Sequence, residues 1–123
     1  MKKVFFGFLF GLFVAGCQTP PTDDTRISVD PALWNSVRVA PLVMDRTPDN
    51  YLVVQANVTN IKKGNCPLEY RAEFLNKNGL TIRSVMDGWT PLVLAPKETR
   101  GLTVISPTVA ATECRFSIRV SAQ

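Results

Sequence analysis

Histidine is missing altogether from these 123 residues. With it go the usual base partner of serine and cysteine nucleophiles and the commonest metal-ligating side chain. Cysteine is scarce at 3, and without histidine to complete a ligand set no metal site is expected. Serines such as Ser36, Ser84 and Ser106 lie in no nucleophile-elbow context. Glu69 and Glu73 stand at alternate strand positions with Arg71 between them, which reads as the solvated face of a sheet and not as a catalytic pair. An enzyme is therefore not expected, and the sequence points to no cofactor and no small-molecule substrate. Long basic runs are absent too. None exceeds Lys62-Lys63, so nucleic acid is not expected as a partner.

What the chain does have is a distinctive start. Lys2-Lys3 precede the uncharged run Val4 to Val14, and Val14-Ala15-Gly16-Cys17 follows. A cationic stretch, an apolar stretch and small residues before a cut site are the three regions of a secretory signal peptide. Eleven residues rising about 1.5 Å each cover roughly half of a ~30 Å hydrocarbon core, too little for a transmembrane anchor. The aliphatic-small-small-Cys pattern resembles the bacterial lipobox, which implies cleavage after Gly16 and acylation of Cys17. Several acyl chains hold a protein on a bilayer far better than one. Residues 1–16 are thus expected to be a leader, and the membrane is reached through lipidated Cys17. By resemblance to enteric-type lipoproteins, Gln18 in place of aspartate points to the outer membrane, facing the periplasm. Removing Lys2 and Lys3 takes 14 basic residues to 12 against 10 acidic, lowering the net charge from +4 to +2.

Residues 17–26 read as the lipidated cysteine plus a flexible tether, because Gln18 to Arg26 hold two prolines, two aspartates and no apolar side chain beyond them. Residues 27–123 read as one β domain. In Leu52 to Asn60 an aliphatic row (Leu52, Val54, Ala56, Val58) alternates with Val53, Gln55, Asn57 and Thr59, the period of a half-buried strand. Leu68 to Phe74 repeats it, and Asn76-Lys77-Asn78-Gly79 supplies a hairpin turn into Leu80 to Val85. Leu92 to Leu94, a turn at Ala95-Pro96-Lys97-Glu98, Thr99 to Ile105 and Arg115 to Val120 complete the run, with Val37 to Met44 before it. Helix is confined to one turn at Asp30 to Trp34, where Asp caps and Pro fits the first position. About seven short strands predict an antiparallel, immunoglobulin-like β-sandwich. Trp89, beside a turn, is expected to plug one end of the core, with an exposed contact role as the alternative.

Cys66 and Cys114 share parity with the inward rows Leu68/Tyr70/Phe74 and Phe116/Ile118. In an oxidising compartment this predicts a disulfide, with two buried thiols as the alternative. Under immunoglobulin-like strand order the two cysteines fall in loops at one end of the sandwich. That end is then the expected partner-binding surface: Lys62, Lys63 and Asn65 from one loop, Thr108 to Glu113 from the other.

Asn57-Val58-Thr59-Asn60, Leu68 to Phe74 with Asn78-Gly79, Trp89-Thr90-Pro91-Leu92, Leu94-Ala95-Pro96, Glu98-Thr99 and Ala110 to Thr112 leading into Arg115-Phe116 resemble the YcfL family of small bacterial lipoproteins. The resemblance brings no assigned activity. It transfers no functional residue except Cys17, and Cys66 and Cys114 lie outside the family pattern. The functional expectation is a periplasm-facing, non-catalytic binding module for another envelope protein, acting through a sheet edge or a loop end. The alternative is an anchoring subunit of an envelope-spanning assembly such as a secretion system.

Overall fold

A computed structural model describes residues 19–84 and 88–121. The leader, Cys17 and Gln18 lie outside the described residues, as does Val85 of the strand expected after the hairpin. Among the described residues nine strands form: β1 (Ile27–Val29), β2 (Val37–Val39), β3 (Val43–Arg46), β4 (Leu52–Asn60), β5 (Cys66–Leu75), β6 (Thr81–Ile82), β7 (Thr90–Leu94), β8 (Thr99–Ile105) and β9 (Glu113–Val120). The expected helical turn is a 3-10 turn at Pro31–Leu33, and the Asp30 side chain accepts from the Ala32 N–H.

Two sheets pack face to face. In sheet A, β1 pairs with β9, β9 with β5, and the far edge of β5 carries β7 along one half and β6 along the other. In sheet B, β4 is central: β8 lines one side, and β2 and β3 share the other in tandem. The all-β sandwich expected from the alternation is therefore what forms. It has more strands than the seven counted because Pro41 divides 37–46 into β2 and β3, and because β1 adds to β9 in parallel. Proline offers no N–H to the ladder, so the pairing on β4 lapses around it.

Strand alternation sets the core. On β4 the residues Leu52, Val54, Ala56 and Val58 are buried, and on β9 Cys114, Phe116 and Ile118, while their neighbours face out. Phe116, Leu68, Leu94, Ile118, Val37, Val54 and Val58 are among the largest fully buried side chains, and Tyr70 stacks on Phe116 with ring centroids 5.7 Å apart. Burying side chains of this size stabilises by about 1.5–3 kcal/mol each relative to exposure, which makes this row the main source of stability. Asn60 is the polar exception. It is fully buried, and its amide donates to the carbonyls of Gly64, Leu94 and Ala95 while its oxygen accepts from the Lys62 N–H, so it fastens two turns at one end of the molecule. The hairpin turn closes as its sequence predicts, with Asn76 bonded to Leu80 and Gly79 at φ 81°.

Candidate functional site

The cysteines overturn the expected disulfide. Both are free and buried, so parity was right about the face. Position along the strand was not. Cys114 pairs with Phe74, eight positions along β5 from Cys66, which pairs with Leu94. Eight positions at 3.3 Å each separate them by roughly 26 Å, whereas a disulfide needs Cα atoms within about 7 Å. The immunoglobulin-like assignment failed because β8 and β9 lie in different sheets, so the loop between them crosses the sandwich and is not a hairpin turn. Burial raises both thiols, Cys114 to about 12 with help from the nearby Glu113 charge, which leaves neither reactive.

The same register divides the expected partner surface. Lys62, Lys63 and Asn65 are exposed beside Asn60 and the Ala95–Glu98 turn. Thr108 and Glu113 are exposed at the opposite end, where the Thr112 N–H bonds to Leu75 and Glu113 pairs with Leu75 across the strands. They do not form one surface, and the joint loop-end site is corrected accordingly.

Trp89 does not plug the core. It is half-buried on the outer face of sheet A, where the guanidinium carbons of Arg119 and Arg71 lie 3.9 and 5.4 Å from its ring. Arg119 donates to Glu69 at 2.8 Å and Arg71 pairs with Glu73 at 3.4 Å. Glu69 and Glu73 are thus held by arginines on an ionic sheet face, as their alternation with Arg71 predicts. Among the described residues no three or more acids and cysteines cluster as a metal ion would need. Nor is any described helix long and apolar enough to cross a membrane.

Sequence reasoning missed how the two long edges of sheet B are treated. On the β2/β3 side the chain before β1 packs against the edge instead of hanging free: Pro21 is buried, its carbonyl accepts from the Val39 N–H, and Asp24 Oδ2 accepts from the Leu42 N–H at 2.8 Å. Arg26 donates to both Asp24 oxygens, at 2.9 and 2.7 Å, and reaches Glu113 at 3.5 Å. The Arg26 guanidinium and these hydrogen bonds hold the Asp24 carboxyl well below the usual carboxylate range, against the opposing effect of its burial. The tether of 17–26 is in this respect shorter than its composition implies, with residues 21–26 acting as a strap. The acid and base two apart in an otherwise linker-like segment were the only signal of it.

Among the described residues nothing similar protects β8. Its ladder to β4 is fixed by the Ser106 N–H donating to Leu52 and the Asn60 N–H donating to Glu98. Even-numbered residues from 98 to 106 therefore aim their backbone groups at β4, and the alternation of an antiparallel ladder turns those of Thr99, Gly101, Thr103 and Ile105 outward. All four residues are exposed. The strand contains no proline, and its one charge, Arg100, is neutralised by Glu98 at 2.8 Å. A long, flat, uncapped edge of this kind is what native sheets ordinarily blunt.

The outer face of sheet B is correspondingly neutral. The Thr59 and Thr99 hydroxyls bond at 2.7 Å, Gln55 donates to Asn57 at 2.8 Å, and Thr103 donates to Gln55 at 3.3 Å. Gly101 leaves room for the Gln55 side chain, which would have to shift if a Cβ were added, since that Cβ would sit 2.7 Å from its amide nitrogen.

The comparisons fit this architecture. A Shewanella member of the DUF1425 family, known from a crystal structure, matches with a TM-score of 0.65 and 21% identity over 71% of this chain and 80% of its own. The crystal structure of Campylobacter jejuni cj0090 matches with a TM-score of 0.67 and 16% identity over 80% of this chain and 100% of its own. Both likenesses are of fold. No curated protein matches the chain. The model of DUF1425, described as a family of proteins of unknown function, matches residues 25–120, from the Arg26 side of the strap to the end of β9, and the chain belongs to that family.

Proposed function

We propose that this protein is a YcfL-like lipoprotein, anchored through acylated Cys17 to the periplasmic side of the outer membrane, where it works as a non-catalytic module that binds an envelope protein by strand addition. The observation that carries the reading is the edge of β8, which no described residue covers, with four outward residues offering backbone donors and acceptors to an extended segment. The strap supports a division of labour. Pro21 is four residues from Cys17, so lipid and domain are separated there by at most about 14 Å of chain. The strap lies along β2 and β3, on the far side of β4 from β8. The bilayer would then hold the protected edge and leave the bare edge for a partner, at the raised effective concentration that confinement to a membrane gives.

The test is photocrosslinking in cells from a reactive residue placed at Thr103 on β8, with Ser117 on the outer face of sheet A as the comparison. A discrete crosslinked envelope protein from position 103 and none from 117 is expected. Crosslinking from 117 alone would refute the β8 reading. For the anchor, mass spectrometry of the mature protein should find an acylated Cys17 at the N-terminus, and any other N-terminus refutes it.

A further inference from the structure

Charge is sorted along the strand direction. One end of the sandwich is built from two turns, residues 61–65 between β4 and β5 and residues 95–98 between β7 and β8. Buried Asn60 fastens them together through the carbonyls of Gly64, Leu94 and Ala95, and Lys97 Nζ donates to the Ile61 carbonyl at 2.9 Å. Lys62, Lys63 and Lys97 are all exposed there. Glu98 is the one acid in these two turns, and it is already engaged: its carboxylate accepts from Arg100 at 2.8 Å and from the Ala95 N–H at 2.7 Å. Among the described residues no carboxylate pairs with any of the three lysines. This end therefore presents three ammonium groups on a cross-braced frame. At the opposite end Arg46 and Lys77 stand with Asp45, Asp49 and Glu113, so the sign is reversed.

The chain from Cys17 arrives at the lysine end. Asp24 bonds to Leu42 and Pro21 to Val39, and Val39 pairs with Val58. Thr19 and Pro20, next upstream, line a surface hollow with Arg38, Thr59 and Thr99. Followed backwards from Asp24, the strap thus runs beside β3 and β2 in the direction of Asn60. Thr99 is two residues from Lys97, and Thr59 is three from Lys62. Cys17 precedes Thr19 by two residues, at most about 7 Å of chain. Charge at physiological salt is felt over about 8 Å, so this tether is too short to place the neighbouring lysines outside the field of an anionic surface.

We propose that the end formed by Lys62, Lys63 and Lys97 is a lipid contact: its ammonium groups lie against the phosphates of anionic phospholipids in the bilayer that holds Cys17, and this stands the sandwich with its lysine end on the membrane. The proposal rests on the acylated Cys17 of the reading above and adds an orientation to it. A cation near an anionic lipid surface gains about fivefold in its local equilibrium. Three on one rigid frame favour this end over the opposite one by about a hundredfold. Lysine binds phosphate as a compact point charge on a flexible stem, without the fixed fork of arginine. That suits a fluid layer of headgroups, in which no phosphate keeps one position.

The experiment inserts the lipidated protein into preformed vesicles of phosphatidylcholine alone or of phosphatidylcholine mixed with phosphatidylglycerol. Flotation reports the anchor. Acetylation by a water-soluble amine reagent, read lysine by lysine by mass spectrometry, reports the orientation, with Lys77 at the opposite end as the internal control. In the mixed vesicles Lys62, Lys63 and Lys97 should react about fivefold more slowly than in the neutral ones, while Lys77 is unchanged, and high salt should abolish the difference. Lys62→Glu combined with Lys63→Glu, both exposed changes, should return Lys97 to its neutral-vesicle rate with an unaltered melting curve. Flotation with no slowing of the three lysines in the mixed vesicles would overturn the lipid contact and leave the anchor intact. Equal slowing in both kinds of vesicle would overturn it too, since the tether alone would then be shielding that end. Equal slowing by glycerol phosphate in detergent micelles would replace the bilayer with a site for a free phosphate. Failure to float would overturn the anchor and the contact together.

Discussion

The two edges of sheet B are treated in opposite ways. The β2/β3 edge is interrupted by Pro41, covered by the strap, and satisfied by a buried carboxylate at Leu42. The β8 edge runs seven residues without interruption, and among the described residues no partner takes up its outward backbone groups. A strand edge is a liability when bare. One edge is closed by a dedicated segment and the other is uncovered by any described residue, and this is the contrast on which the strand-addition proposal rests.

The largest expected effect in breaking this contrast is on the closed edge. Asp24→Ala leaves the Leu42 N–H without its acceptor and Arg26 without its nearer one, Glu113 remaining at 3.5 Å, and hydrogen bonds to a charged group contribute about 1.5–3 kcal/mol. A loss of about 2–3 kcal/mol is expected, read as a fall in Tm of roughly 10 °C or more for a domain of this size. Retention of wild-type Tm would show the strap to be dispensable. Acid should reproduce part of the effect. The Asp24 carboxyl is depressed in the folded state from its ordinary value of 3.8, so its contribution is complete above about pH 5 and declines as pH falls through 4 and below. Denaturant midpoints measured between pH 6 and 3 should drop less steeply in Asp24→Asn than in wild type.

A smaller change is expected on the outer face of sheet A. Trp89→Ala removes a ring that Arg119 and Arg71 cover, and cation–π contacts at exposed sites contribute about 0.5–1 kcal/mol. A destabilisation near 1 kcal/mol places Trp89 outside the core. A value near 4 kcal/mol, usual for a buried aromatic, would return it to the plug position. Reduction should do less still. With Cys66 and Cys114 at opposite ends of β5, dithiothreitol should leave the Tm unchanged, and titration of the denatured, unreduced protein should find both thiols. The smallest effect on stability belongs to the open edge: Thr103→Lys on β8 should shift stability by no more than about 0.5 kcal/mol, as for surface changes away from special features. Its effect should appear only in partner capture, which sharpens the contrast with Asp24.

Much of the fold was legible. Alternation in 52–60 and 68–74 located two central strands and named their buried faces, and Asn78-Gly79 located a turn. These are local signals, set by a two-residue period and by the few residues that accept positive φ. The charged face was legible for the same reason, since Glu69, Arg71 and Glu73 share a parity. Lys97, at φ 64° in the Ala95–Glu98 turn, shows that a turn can form where its sequence is less suited. The errors all concern which strand lies beside which. The disulfide, the joint loop end and the Trp89 plug each required knowing the order of strands in space, and parity carries no information about position along a strand or about sheet membership.

By itself the sequence determined the lipobox-like start, the absence of histidine chemistry, the all-β class and the inward rows, because each follows from residue type or from spacing along one strand. Only the tertiary structure decided that the two cysteines are apart, that residues 21–26 strap one edge, and that sheet B is one strand narrower than sheet A. Pairing partners are chosen by contacts between segments distant in sequence, such as Asp24 with Leu42 and β1 with β9. No local pattern encodes those choices.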